Sequence, residues 1–463
     1  MSAGPEPPGS GAIEVALPTS SVLPGSDPAE AVSIGPVPVP LEPISGSSAP
    51  ARYREALRSR EMSGLLLAQV VSECGDFLAR VALALLVLSR SDSAFLAALT
   101  FAISFLPALV GGSLLSSLAD RLPRKSVMLA GDASRAVVIG VLAFAAVDGT
   151  SIAVLLGLLF LAEVFLAPYA AAQRAVTADI LTEPRVYLAG SGLQRVLFQV
   201  DQVFGLVIAG LVVRAVGSRV ALWIDALTFA FAFLVVLVAL RPRPAAMTAA
   251  GQASRGIWSD FTDGWRVVFD DPARRILVLL AWGSAIVIIA PEAVALAYAR
   301  TEGAGPAVGG ALMAALPAGA AVGSILVSRL GPHRQVQAIV PLVTCACLPL
   351  LATCWAPPWW VAMPLWFLSG LCQGYMIPLI GTVNLVTSPE FRGRVNGLAS
   401  AGFSVATALA FLFAGAIADL ATPAVAVTIA GAIGLAFIWL VRLGWPRGAI
   451  RRATTLAYGP PPA

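Results

Sequence analysis

Long apolar runs with few charges fill the chain from Glu61 to Arg442, and the short segments between them collect arginine at every second break only. A helix that crosses a bilayer needs about 20 predominantly apolar residues, because lipid offers no partner for a backbone N–H or C=O. Twelve runs reach that length, at 62–88, 94–118, 126–147, 151–175, 190–213, 220–240, 274–299, 307–328, 335–354, 358–385, 395–418 and 423–443. The pattern predicts an all-α integral membrane protein with 12 transmembrane helices.

The arginines set the expected orientation. With the chain starting inside, the inner loops and termini hold Arg52, Arg58, Arg121, Lys125, Arg174, Arg243, Arg275, Arg334, Arg394 and Arg451 among 23 of the 30 basic residues. The outer loops hold only Arg90, Arg214, Arg219 and Arg300. Basic residues near span ends stay on the cytoplasmic side, so a multi-pass cell-membrane protein with both termini cytoplasmic is expected. Composition agrees: 58% of residues are hydrophobic and 12% charged, where a soluble chain would be about a quarter charged. The net charge of +4 sits in loops and argues for no nucleic-acid partner. Cys74, Cys345, Cys347, Cys354 and Cys372 all lie in apolar runs, and His333 is the single histidine. A metal site, a histidine-based triad and a cofactor are therefore not expected, and the chain is not read as an enzyme.

Five segments follow. Residues 1–50 are rich in Pro, Gly, Ser and Ala without lysine or arginine, which predicts a disordered cytoplasmic tail. Residues 52–240 and 274–445 each form a six-helix bundle, joined by a cytoplasmic linker, 241–273, and 446–463 is a cytoplasmic C-terminal tail. In the linker, Ile257, Trp258, Phe261, Trp265, Val268 and Phe269 recur at helical spacing, which predicts an amphipathic helix on the inner leaflet or packed on protein. The two bundles echo each other: Arg121-Leu-Pro after the second span answers Arg329-Leu-Gly-Pro after the eighth, about 208 residues on. Thr182 and Pro184 answer Thr387 and Pro389 at an offset of about 205. Two loops at nearly one offset point to a duplicated six-helix unit with pseudo-symmetry, as in transporters built from repeats.

The stretch Gly112-Ser-Leu-Leu-Ser-Ser-Leu-Ala-Asp120-Arg121-Leu-Pro-Arg124-Lys125 resembles the loop 2–3 signature of the major facilitator superfamily. The likeness extends to its drug-efflux branch with macrolide-efflux and enterobactin-type exporters. It rests further on Ser72-Glu-Cys-Gly75-Asp76, Leu106-Pro107-Ala108, Gly131-Asp132-Ala-Ser-Arg135-Ala136, Asp225-Ala-Leu-Thr-Phe229, Asp271-Pro272, and Pro389-Glu-Phe-Arg392-Gly393-Arg394-Val-Asn396-Gly397. In two places the chain departs from the family pattern. Pro123 stands where the signature has glycine. Span 5 reads Gly205-Leu-Val-Ile-Ala209-Gly210 in place of the Gly-Pro motif linked to antiport, and the arginine usual in span 4 of proton-driven exporters is missing. By this resemblance Asp120, Arg121, Arg124 and Lys125 form a cytoplasmic gate that latches the two halves; the alternative is positive-inside anchoring alone.

Candidate chemistry lies at membrane depth, where a charge costs at least ~2.5–3.5 kcal/mol and so faces a partner or a wet cavity. Glu73, Asp76 and Arg80 share one helix face at i, i+3 and i+7. Arg80 is expected to hold one carboxylate ionised while the other takes a proton; the alternative is a closed structural ion pair between Asp76 and Arg80. Glu163 stands alone in span 4 and reads as an unpaired substrate- or proton-binding carboxyl. Asp201 with Arg195, and Glu292 beside Pro291, are further candidates, whereas Asp132 with Arg135 reads as structural.

These observations lead to a secondary active transporter, with proton-coupled efflux of a small amphipathic molecule (a drug, siderophore or secondary metabolite) by alternating access. An uptake permease of the same fold and a non-transporting membrane scaffold or sensor remain as alternatives. The expected partners are the small-molecule substrate, protons and the lipid bilayer, with the chain working as a monomer.

Overall fold

A computed structural model describes residues 49–106, 122–243 and 264–460, which are helical throughout with no strand among them. The helices are α1 (Ala49–Arg58), α2 (Arg60–Ser91), α3 (Ala94–Ile103), α4 (Arg124–Ala145), α5 (Ile152–Val164), α6 (Leu166–Ile180) and α7 (Pro184–Ala239). They continue with α8 (Pro272–Thr301), α9 (Pro306–Ser328), α10 (Pro332–Leu351), α11 (Trp359–Cys372), α12 (Met376–Leu385), α13 (Arg392–Leu420), α14 (Pro423–Leu443) and α15 (Arg447–Tyr458). Among the described residues nine helices are long and apolar enough to cross a membrane. The second expected span runs past Leu106 into residues outside the described set. So do most of the expected linker helix, of which 264–269 is helical, and the expected N-terminal tail.

Local chemistry sets the helix ends. Ser59 caps α2 by accepting from the Met62 N–H at 3.3 Å, and Ser93 caps α3 by accepting from Leu96. Between them Asp92 adopts a left-handed conformation (φ 53°) that ends α2. Proline opens α8, α9, α10 and α14, where its missing N–H would have had no partner in any case. The expected span 151–175 is bent between α5 and α6, because Pro168 has no N–H to give to the Val164 carbonyl. Expected spans 190–213 and 220–240 both lie in α7, which is broken at Gly217 (φ 81°, ψ 164°), a conformation that is essentially glycine's alone.

Packing differs between the two ends of the molecule. At the arginine-poor end one hydrophobic core joins both sequence halves, running from Phe77, Leu83 and Phe101 to Leu296, Leu312 and Phe411. Phe101 of α3 stacks on Phe411 of α13 with ring centroids 5.5 Å apart, and Gly210 of α7 meets Gly310 of α9 backbone to backbone. At the arginine-rich end there are two separate cores. One gathers Met62, Met128, Tyr169 and Val236; the other gathers Leu277, Ile339, Tyr375 and Ile438. Within the second half, Gly319 and Gly323 of α9 lie against the Phe367 and Leu371 carbonyls of α11, a small-residue contact that substitutes for hydrophobic drive inside lipid.

The expected C-terminal tail carries α15. Its Ile450 and Thr454 are buried, and His333 Nε2 lies 3.0 Å from the Gly459 carbonyl oxygen. The four-residue spacing of Ile450 and Thr454 gives this helix one face to bury.

Candidate functional site

α2 lies between the two arms of α7 and against α3, and its polar face takes an arginine from α4 and gives one to a carboxylate of α5. Phe77 packs on Gly205 in the first arm, and Gly75 abuts Asp225 and Thr228 in the second. Glycine is required at 75, since a Cβ there would overlap both side chains.

Arg80 does not hold Glu73 or Asp76. Its Nε–H and Nη2–H donate to Glu163 Oε1 at 3.1 and 2.9 Å, and the Ser104 hydroxyl donates to the same oxygen at 2.9 Å. Glu163 is 2% exposed and is therefore a paired carboxylate, which corrects its reading as an unpaired one. A search along its own helix face could not find a base that arrives from α2. Asp76 also departs from expectation: its partner is Arg135 of α4, with Nη2–H donating to Oδ1 at 2.6 Å. That guanidinium stacks over Phe229 at 4.2 Å. The alternative pair Asp76–Arg80 and the structural pair Asp132–Arg135 thus give way to Asp76–Arg135 and Arg80–Glu163.

The remaining acids have no such partner. Among the described residues no basic side chain hydrogen-bonds to Glu73, Asp132, Asp201 or Asp225. Asp225 accepts from the Thr228 hydroxyl, and Asp132 is buried. Glu73 takes an amide hydrogen from Gln69 at 3.1 Å, and Gln173 donates to Gln69 in turn. Among the described residues, the buried Glu73 Oε2 of α2 and Asp201 Oδ2 of α7 meet no donor. Arg195 is exposed and does not approach Asp201, and Glu292 is buried in α8. Gln173, Gln194 and Asp225 joined this cluster without being singled out as site residues; the sole signal was their polarity at membrane depth.

Of the expected gate, Asp120 and Arg121 fall outside the described residues. Arg124 pairs with Asp179, and Lys125 Nζ donates to the Leu237 and Leu240 carbonyls at 2.8 and 2.7 Å. Arg243 binds Glu61 at 2.8 Å. All of these partners lie within residues 52–243. Burial works to raise the Glu61 carboxyl, but the hydrogen bonds and charge of Arg243 and Arg241 hold it below its ordinary range.

Among the described residues, the hydrogen-bonded ties between the sequence halves lie at the opposite end. Arg300, closing α8, donates to the Leu88 carbonyl at 2.6 Å and pairs with Asp92. Asp419, closing α13, accepts from the Ser93 hydroxyl and the Ala94 and Phe95 N–H groups at 2.5, 2.5 and 3.2 Å. A carboxylate on the free N–H groups that open α3 is a favourable site for negative charge. None of these contacts was anticipated.

The profile of the Major Facilitator Superfamily matches residues 65–363 and 293–457. The chain is 26% identical over 374 residues to the multidrug efflux pump Tap of Mycobacterium tuberculosis, covering 77% of this chain and 87% of that protein. Among solved structures, a variant of the nucleoside transporter NupG superposes with a TM-score of 0.67 at 12% identity, covering 83% of this chain and 100% of that one. A bacterial homologue of the iron transporter ferroportin, in an inward-facing state, gives 0.62 at 14% identity, covering 84% and 98%.

Proposed function

The chain belongs to the major facilitator superfamily, and from that premise we propose that it is a proton-coupled exporter of small amphipathic molecules working by alternating access. The observation that carries the proposal is that Glu73 of α2 and Asp201 of α7 are acids at membrane depth whose Oε2 and Oδ2 are buried with no donor and no basic partner among the described residues. Asp76 pairs with Arg135 and Glu163 with Arg80, and the two pairs form a fixed charge frame. Glu73 and Asp201 are the carrier: they hold a proton while the site faces outward and release it when the bundles rock open to the cytoplasm. An amphipathic substrate, drawn by the freed negative charge, occupies the site in exchange.

The six-helix bundles at 52–240 and 274–445 rock about the core they share at the arginine-poor end. Among the described residues the cores at the arginine-rich end are separate, which supports that side as the one that opens, and the positive-inside pattern makes it the cytoplasmic side of the cell membrane. Arg124, Lys125 and the neighbouring Asp120 and Arg121 engage the second bundle when that side closes. The 26% identity to an efflux pump supports export over uptake.

The test is vectorial. Everted vesicles from a strain expressing the chain, energised to be acid inside, are challenged with a chemically varied panel of fluorescent amphiphiles. Accumulation of at least one compound that collapses with a protonophore supports export. Accumulation in right-side-out vesicles instead would reverse the direction, and no gradient-dependent movement of any compound would remove the coupling.

A further inference from the structure

Away from the carboxyl cluster, α15 packs against α10 and α12 and, with the end of α14, borders an open cavity of about 710 Å³ at the arginine-rich end. Its polar rim is Arg442, Arg447, Arg451, His333, Gln337 and Trp445. Helices α10, α14 and α15 contain no aspartate or glutamate, and among the described residues no carboxylate pairs with any of the three arginines. Pro446 gives the first turn of α15 no side-chain cap, so backbone N–H groups there add to the positive field. Three exposed guanidiniums on one cavity, without a carboxylate partner among the described residues, offer a site to an anion.

The cavity does not end at the rim. Val340, Thr344 and Arg442 also line a groove of about 670 Å³ that continues between α10 and α14 past Leu435, Trp439 and Leu351. Its walls are apolar and its outer edge is exposed, with Trp439 at 63% and Leu440 at 60%. On a chain that spans a membrane, such a face meets acyl chains. The groove runs along α14 from Ala432 to Arg442. At 1.5 Å per residue that is about 15 Å, the depth of one leaflet of a hydrocarbon core about 30 Å thick. A basic mouth above an apolar slot one leaflet deep has the dimensions of a phospholipid.

We propose that the seam of α10, α14 and α15 binds an anionic phospholipid, with its phosphate held by Arg442, Arg447 and Arg451 and one acyl chain laid between α10 and α14. Zwitterionic lipid carries a choline that three guanidiniums repel, so the site discriminates by headgroup charge. A free phosphate ion would satisfy the rim but leave the slot empty. Bound lipid ties α15 to the membrane plane and fixes the cytoplasmic end of the second bundle. The inference is independent of proton coupling and of transport direction.

The experiment uses the purified full-length chain, delipidated and titrated with dioleoyl phosphatidylglycerol or dioleoyl phosphatidylcholine. Native mass spectrometry counts retained lipid, and thermal unfolding measures protection. The expected result is one phosphatidylglycerol retained under conditions that strip phosphatidylcholine. A combined Arg442→Gln, Arg447→Gln and Arg451→Gln variant should weaken that retention at least tenfold. Ala436→Trp fills the slot while leaving every charge in place, and should weaken dioleoyl but not dihexanoyl phosphatidylglycerol. Equal retention of the two dioleoyl lipids by the unaltered chain would overturn the proposal. So would protection by inorganic phosphate that matches phosphatidylglycerol, or a glutamine variant that unfolds like the parent yet binds lipid undiminished.

Discussion

Glu163→Gln is the sharpest probe of the charge frame, because it removes one charge and keeps the shape. The parent carboxylate accepts two hydrogen bonds from Arg80 and one from Ser104, all at 2.9–3.1 Å, with Glu163 2% and Arg80 17% exposed. The amide leaves Arg80 as a buried cation whose nearest remaining counter-charge, Asp76, is already taken by Arg135. Breaking a buried pair by removing one partner costs about 3–5 kcal/mol. Removing both partners together costs far less, because no uncompensated charge is left. The full cycle therefore comprises Glu163→Gln, Arg80→Met and the double variant, measured by reversible unfolding in mixed detergent. Each single variant should lose about 3–5 kcal/mol and the double variant no more than about 2, a coupling of several kcal/mol. A single Glu163→Gln variant that loses under 1 kcal/mol, or a double variant that loses the sum of both singles, would refute the pairing.

Further expectations follow from the same geometry. Asp419→Ala deletes three hydrogen bonds to the start of α3, each to a charged acceptor and worth about 1.5–3 kcal/mol. It should shift the equilibrium at least tenfold toward opening at the arginine-poor end, read as a longer spin-label distance between the facing ends of α3 and α13; an unchanged distance distribution would exclude the latch. Gly323→Leu drives a side chain into the Leu371 carbonyl and should cost about 1–3 kcal/mol, seen as a lower unfolding midpoint in detergent. Glu61 is held below its ordinary value of 4.5, so its contribution to stability is complete above that value and is lost as pH falls through the lowered one. Glu61→Gln should flatten the acid limb of the stability profile, and an acid limb identical to the parent's would deny Glu61 that part.

The helices could be read from the sequence because lipid enforces them: α8, α9, α13 and α14 begin and end within about three residues of the apolar runs. Bends were harder. Pro168 explains the α5–α6 bend, and Gly217 allows the turn in α7, but neither residue states by itself that it will be used. The candidate site was legible only residue by residue. Glu73, Asp76, Arg80, Glu163 and Asp201 stand out because charge is rare at depth, yet their partners come from neighbouring helices that no periodicity places side by side. The same reason hid Asp419, Asp92 and Arg300, whose meaning depends on which helix ends dock. Helix α15 had a signal in Ile450 and Thr454, masked by arginines that look like simple anchoring.

The account turns on whether Glu73 and Asp201 carry the proton. The direct measurement reconstitutes the parent, Glu73→Gln and Asp201→Asn into proteoliposomes with one transported compound and compares uptake driven by a pH gradient with substrate counterflow at equal pH. The account predicts that both variants lose gradient-driven accumulation by at least tenfold while exchange of substrate for substrate persists. Full gradient-driven accumulation in both variants would contradict it.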